Sequence, residues 1–292
     1  MTVFNLGSIN ADHFYDVPHL PRPGETLAAT RFFTGLGGKG TNQSVAAAKA
    51  GSEVRHIGAV GSDGSWAVEK LRDYGVNTDH IALSDKPTGH AIINVDAAGE
   101  NAIVIYAGAN RAQSSDNISR ALAQARRDDL LLVQNETDKQ EEAAQLARKA
   151  GARVIYSAAP FSVDSVRAVL PFASILMMNA VESDQLCAAL ETKLESLSVD
   201  GIVVTRGHEG AEWIEPATGN RLFIPAIPVT VVDTTGAGDT FAGYFAAGLD
   251  RGHDVKAALT LASAAAALKI TRQGTADVIP SLDEVMEFIA GS

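Results

Sequence analysis

Short apolar strand-like runs alternate with helical patterns along most of this chain. Val54-Arg55-His56-Ile57-Gly58-Ala59-Val60 precedes a helical pattern from Trp66 to Tyr74, and Leu130-Leu131-Leu132-Val133-Gln134 precedes another from Asp138 to Ala150. Arg153 to Tyr156, Ser174 to Met178 and Gly201 to Thr205 continue the series. Apolar runs without an exposed face, set between helices, belong to a parallel sheet covered on both sides. The expected fold is therefore α/β and doubly wound, a mostly parallel central sheet with helices on both faces. In such a sheet ligands bind at the carboxyl ends of the strands. No linker or low-complexity tract interrupts the 292 residues, so a single domain over 1–292 is expected.

Two segments break the alternation. His13 to Thr34 is rich in proline, and Thr88 to Tyr106 carries the hairpin signal Asp96-Ala97-Ala98-Gly99-Glu100. They read as a small β-sheet lid built from about 11–36 and 87–108. Such a sheet would exclude water from a site beneath it or pair two copies of the chain, and the two uses are compatible. A homodimer through the lid strands is expected.

Charge narrows the function. A formal net charge of −11 with scattered Lys and Arg argues against a nucleic-acid surface. The apolar stretch Ala257 to Leu268 contains Thr260 and Ser263 and is too short for a membrane span. Cys187 stands alone, and Met1 leads into the strand-like Val3-Phe4-Asn5-Leu6-Gly7 without a basic leader, so cytoplasmic residence is expected. The histidines show no zinc-binding spacing.

The chemistry concentrates in Asp233-Thr234-Thr235-Gly236-Ala237-Gly238, which follows a run expected to be extended over Ile224 to Val232 and precedes Asp239 and a helical pattern. Glycines at a helix entry let an anion approach backbone N–H groups and the positive end of the helix dipole. Asp239, in the first turn, would lie beside that anion. A plain acidic helix cap is the alternative.

Four other stretches carry polar groups at expected strand ends. Asn10 and Asp12 suit neighbouring hydroxyls of a polyol, or an Asx turn. Gly35-Leu36-Gly37-Gly38-Lys39-Gly40-Thr41-Asn42 leads into a helix expected over Gln43 to Ala50. It contains GxGxxG, with Asp63 further on, so a nicotinamide-dependent dehydrogenase is a competing reading. Against it, the loop follows a proline-rich segment, and Lys39 would crowd a pyrophosphate. Asn179 and Glu182 read as a site for hydrated Mg²⁺ near phosphates, or as a helix cap. Thr205-Arg206-Gly207-His208-Glu209-Gly210 reads as a nucleotide loop or as a plain hairpin.

Together these motifs resemble the ribokinase-like (PfkB) carbohydrate kinases, and the resemblance runs the whole chain. Gly35 to Asn42 is similar to the family's glycine signature, and Asp233 to Asp239 matches its C-terminal signature residue for residue. The resemblance implies an ATP-dependent kinase acting on a primary hydroxyl, O5 of D-ribose foremost. Deoxyribose, a ketohexose or a nucleoside are alternative acceptors, and a non-catalytic sugar sensor is an alternative of another class.

By position, Asn10, Asp12, Gly38, Lys39, Asn42 and Glu136 would hold the sugar, with Asp239 as base on its hydroxyl. Gly236, Ala237 and Gly238 would form the anion hole. Asn179, Glu182, Thr205, Gly207, Gly210, Gly238 and Ser263 would serve ATP and Mg²⁺. Asp233, Thr235 and the carbonyls of Lys269, Arg272 and Gly274 would hold a monovalent cation, K⁺ in this family. The chain departs from the family pattern at Ser263, where close relatives have His, and at Val278, where a hydroxyl ligand is often found.

Overall fold

Leu130 and Leu132 face one apolar core while Leu131 and Val133, on the same strand, face another. That division, set by the two-residue period of a strand, organises the molecule. The computed structural model describes residues 1–291. In chain order the elements are β1 (Thr2–Leu6), β2 (Asn10–Asp16), β3 (Arg31–Gly37), α1 (Lys39–Lys49), β4 (Glu53–Val60), α2 (Ser65–Asp73), β5 (Val76–Leu83), β6 (Gly89–Val95), β7 (Asn101–Tyr106), α3 (Ser115–Leu122) and β8 (Leu130–Gln134). There follow α4 (Gln140–Lys149), β9 (Arg153–Ser157), α5 (Val163–Val169), β10 (Ile175–Asn179), α6 (Ala180–Leu190), β11 (Gly201–Thr205), β12 (Gly210–Glu215), β13 (Asn220–Pro225), α7 (Ala237–Asp250), α8 (Val255–Lys269) and α9 (Leu282–Ala290).

The main sheet has nine strands in the order β13-β12-β11-β10-β9-β8-β1-β4-β5. Every pairing from β11 to β5 is parallel, and β12 and β13 add an antiparallel edge. One core collects side chains of α1, α2, α7, α8 and α9, and the other those of α3, α4, α5 and α6. The doubly wound reading therefore holds. After β1 the chain builds outward through β4 and β5, then returns to place β8 on the other flank of β1. Such a reversal opens a crevice at the carboxyl ends of the two strands.

The second sheet has four strands in the order β3-β2-β6-β7. Because β2 begins where β1 has just ended, Asn10 and Asp12 sit at the root of this sheet, paired with Gly37 and Gly35 on β3 and with Gly89 and Ala91 on β6. No helix among the described residues is long and apolar enough to cross a membrane.

Two boundaries differ from expectation. The α1 helix starts at Lys39 rather than Gln43, because Gly38, at φ 96°, turns the chain directly into it. The extended run expected over Ile224 to Val232 ends as a strand at Pro225. Pro225 and Pro228 have no N–H for a ladder, which suits β13 to the sheet edge.

The root of α1 lies against the β1–β2 turn with no room for a side chain: a Cβ on Gly40 would stand 2.3 Å from Gly7 Cα and 2.4 Å from Ser8 N. Backbone on both sides prevents relief. Gly40→Ala is expected to cost about 3 kcal/mol of unfolding free energy, the upper end of ordinary overpacking. Urea denaturation checks this, and an unchanged midpoint would remove the constraint.

Candidate active site

The first turn of α7 points its one carboxylate at α1. Gly236 caps the helix in the left-handed region at φ 72°, and Asp239 follows within the turn, buried to 8% exposure. Asn42 Nδ2 donates to Asp239 Oδ2 at 3.0 Å, and Gln43 Nε2 donates to Oδ1 at 3.2 Å. The two glycine motifs, far apart in sequence, thus meet on one carboxylate.

A buried polar chain fixes that meeting. Gln134 Nε2, at the end of β8, donates to Gln43 Oε1 at 2.7 Å and to Asn5 Oδ1 at 2.9 Å. Asn5 Nδ2 in turn donates to the Gly40 carbonyl and to Ser44 Oγ, both at 2.8 Å. Ser44 Oγ lies 2.8 Å from His56 Nδ1, and His56 Nε2 lies 3.1 Å from the Gly7 carbonyl. Burial pulls His56 down to about 4, so the ring is neutral at physiological pH. Its proton then sits on Nε2 and is donated to Gly7, while Nδ1 accepts from Ser44.

Towards the small sheet lies a second acidic group. Glu136 Oε2 accepts from Ser8 Oγ at 2.5 Å and from the Lys39 N–H at 3.0 Å. Asn110 Nδ2 donates to Asn10 Oδ1 at 2.7 Å, and Asn110 Oδ1 accepts from the Ile9 N–H at 2.9 Å. A Cβ on Gly37 would fall 1.9 Å from Asp12 Oδ2, so the glycine makes room for that carboxylate. Burial, followed by the charge of Glu136, pushes Asp12 up to about 7.

Asp239 lines a cleft of about 260 Å³ together with Lys39, Asn179, Glu182, Thr205, Gly236 and Gly238, among others. Lys39 sits where Asp239 raises its pKa most, ahead of Glu136 and Glu182, against the opposing effect of burial. Asn179 and Glu182 form a reciprocal helix cap: Asn179 Oδ1 accepts from the Glu182 N–H at 2.9 Å, and Glu182 Oε2 accepts from the Asn179 N–H at 2.8 Å. The cap leaves the other Glu182 oxygen uncommitted among the described residues. The Ala237 N–H donates to the Thr234 carbonyl at 3.1 Å, so that member of the expected anion hole is engaged in a turn. Gly238 lies among the first-turn amides that helix bonding does not use.

The remaining expected residues fall outside this cleft. Gly207 is exposed in the turn between β11 and β12, which pair as an antiparallel hairpin. Gly210 is buried, with the space for a Cβ filled by the Ile224 carbonyl at 2.1 Å. Ser263, within α8, has a buried hydroxyl without a hydrogen-bond partner among the described residues. Asp233 Oδ1 accepts from the Thr235 N–H at 2.8 Å and Oδ2 from the Gly274 N–H at 3.0 Å, while Lys269 Nζ donates to the Asp233 carbonyl at 3.1 Å. Arg272 reaches Glu284 Oε1 at 2.7 Å.

Sequence reasoning passed over Gln43, Gln134, Ser8 and Asn110. Only the first two left a trace, as a glutamine inside an alanine-rich helix and a glutamine closing a leucine strand.

The glycines separate two readings. A Cβ on Gly37, Gly38 or Gly40 would strike protein atoms, and one on Gly35 would touch Phe14 at 3.4 Å; one on Gly238 would meet nothing within 4 Å. GxGxxG here is packing, and Asp63 accepts from the N–H and hydroxyl of Thr88. The dehydrogenase reading of this loop is therefore set aside. The sequence model of the pfkB family carbohydrate kinases matches residues 2–282. The chain belongs to that family. It is 34% identical to a ribokinase of Haemophilus influenzae, over 99% of this chain and 98% of that protein. It is 31% identical to a deoxyribokinase of Salmonella typhimurium, over 99% of each. A solved structure of Arabidopsis thaliana ribokinase complexed with ribose and ATP superposes with a TM-score of 0.86 at 29% identity, covering 100% of this chain and 99% of that one.

A carboxyl group whose folded pKa is raised favours the protonated form in the folded state. Its contribution to stability is complete below the unfolded value near 4 and is lost as pH rises through about 7. Asp12→Asn escapes that loss. Relative to the parent protein, it is expected to gain up to roughly 4 kcal/mol between pH 4 and pH 8. Chemical denaturation at the two pH values measures the difference, and a pH-independent offset would show that Asp12 titrates normally.

Proposed function

We propose that this kinase transfers the γ-phosphoryl group of ATP to O5 of D-ribose, giving D-ribose 5-phosphate. The observation that carries this reading is the Asp239 carboxylate, held by Asn42 and Gln43 in the wall of the cleft at the start of α7, with Lys39 coupled by charge to both Asp239 and Glu136. Relatives named for ribose, and one solved with ribose and ATP, support the choice of acceptor and donor. The deoxyribokinase among the relatives makes deoxyribose the second acceptor to test.

In this mechanism Asn10, Asp12 and Glu136 orient the sugar, with Gly38 and Asn42 at the same wall. Asp239 accepts the proton of the attacking hydroxyl while Asn42 and Gln43 hold it in line. The Gly238 amide and the α7 dipole receive the phosphoryl oxygens, and Gly236 sets the turn that aims them. Lys39, between Asp239 and Glu182, places its charge on the phosphate side of the cleft. Phosphoryl transfer leaves little covalent work for the protein, so placement and charge stabilisation dominate.

No group of three or more metal-ligating His, Cys, Asp or Glu side chains occurs among the described residues. The uncommitted oxygen of Glu182 fits a hydrated Mg²⁺ held jointly with the nucleotide. When bound, Mg²⁺ neutralises developing phosphate charge. Thr205 serves the nucleotide at the cleft wall, with Gly207 and Gly210 shaping the hairpin behind it and Ser263 on the adenine side.

We place the enzyme in the cytoplasm as a single domain whose small sheet is both lid and dimer contact. Ile103, Val104, Ile105 and Tyr106 on edge strand β7 are exposed, as are Phe32 and Phe33 on β3. An apolar edge of this kind is a pairing surface.

Gly238 offers a test free of folding effects, because its Cβ position is open and alanine favours a helix by about 0.5–1 kcal/mol. Gly238→Ala is expected to keep or raise the melting temperature and to lower kcat/KM for ATP at least ~10-fold. Unimpaired ATP use would remove Gly238 from the anion hole. Asp239→Asn is expected to lower kcat at least ~10²-fold with ATP affinity retained, and near-normal turnover would end its assignment as base. An acceptor panel of ribose, deoxyribose, fructose and a nucleoside, read by ADP release, decides the sugar.

A further inference from the structure

In the loop where the family resemblance implies K⁺, the protein carries a cation of its own. Lys269, the last residue of α8, is 0% exposed. A buried ammonium is costly unless polar groups surround it. No carboxylate lies within ion-pair distance of it among the described residues. Its Nζ donates instead to the main-chain carbonyl of Asp233, at 3.1 Å. A carbonyl at the head of this loop is a ligand type that a monovalent cation takes.

Two of the other positions implied for the ion, the Asp233 carboxylate and the Lys269 carbonyl, already hold backbone partners. Both Asp233 carboxylate oxygens accept backbone N–H groups, from Thr235 and Gly274. The Lys269 carbonyl accepts from the Arg272 N–H at 3.0 Å. At the position where a hydroxyl ligand is expected stands Val278, and a Cβ on Gly274 would lie 3.3 Å from its Cγ1 methyl. An apolar methyl cannot replace a hydroxyl ligand. A second cation here would also share the loop with the ammonium, and the two like charges would repel.

We propose that Lys269 Nζ is a tethered monovalent cation, holding the Asp233–Gly236 turn behind the anion hole and making phosphoryl transfer by this protein independent of K⁺. The inference rests on the kinase reading for its catalytic consequence, though not for the position of the charge. An ammonium is singly charged and close to K⁺ in size, and the covalent tether removes the entropy cost of capturing an ion. Lys269 acts through the turn, so it is a positioning residue.

The test compares KCl with choline chloride at equal ionic strength, reading ADP release with ribose and, separately, the melting temperature without nucleotide. For the parent protein the two salts are expected to give rates within about twofold and the same melting temperature. Lys269→Ala vacates the ammonium position while keeping the main-chain carbonyls. It is expected to lose about 10-fold or more in choline chloride, and to recover rate and melting temperature as KCl is added. Activation of the parent by K⁺ of about 10-fold or more, or a Lys269→Ala variant fully active in choline chloride, overturns the proposal. Should neither protein release ADP in any salt, the kinase reading fails while the melting arm still decides: K⁺ raising only the variant supports the tethered cation, and K⁺ raising the parent refutes it. If the alanine variant does not fold, Lys269→Met keeps the buried stem. It is expected to be slow in both salts, and full activity in choline chloride would refute the proposal.

Discussion

The structure depends on the hydrogen bonds that Asn42 and Gln43 donate to the Asp239 carboxylate. They join the first turn of α1 to the first turn of α7, and each helix carries one of the two glycine motifs. Because the contact is buried, a carboxylate that lost these donors would be left largely desolvated and poorly paired. Gln134 and Asn5 extend the same network to β8 and β1, the strands that flank the topological reversal of the sheet. The crevice that any doubly wound sheet provides is here given a carboxylate fixed by two amide donors.

Glycine does two opposite jobs around that group. Gly37 and Gly40 are small because protein occupies the space, the Asp12 carboxylate in one case and the Gly7 backbone in the other. Gly238 is small with nothing beside it. A glycine that packing does not require, at a helix entry bordered by Lys39 and Glu182, is what the proposed anion hole calls for. The contrast separates a phosphate-approach loop from a packing loop when both share a glycine-rich pattern.

Much of this was legible in the sequence. Strands buried on both faces, such as Leu130 to Gln134 and Gly201 to Thr205, declare themselves by unbroken apolar runs, and with them the parallel sheet. The strand β5, where Asn77, Asp79 and His80 interrupt the apolar residues, gives no such run because it lies at the sheet edge. The start of α1 at Lys39 was hidden, since the left-handed turn at Gly38 is a property of the backbone that several glycines in the loop could have supplied. Gln43 and Gln134 were missed for a deeper reason: their role is a contact between residues 91 positions apart, and no local spacing encodes it. The side chain of Lys269 was equally invisible, read only for its carbonyl until burial placed its ammonium on Asp233.

The central claim is that Asp239 activates a primary hydroxyl presented from the small-sheet side. The most direct measurement is the phosphorus-31 NMR spectrum, without proton decoupling, of the product formed from ATP and D-ribose. Phosphorylation at O5 predicts a monoester signal split by the two C5 protons. A signal split by the single anomeric proton, or no new monoester while ATP is consumed, would contradict the account.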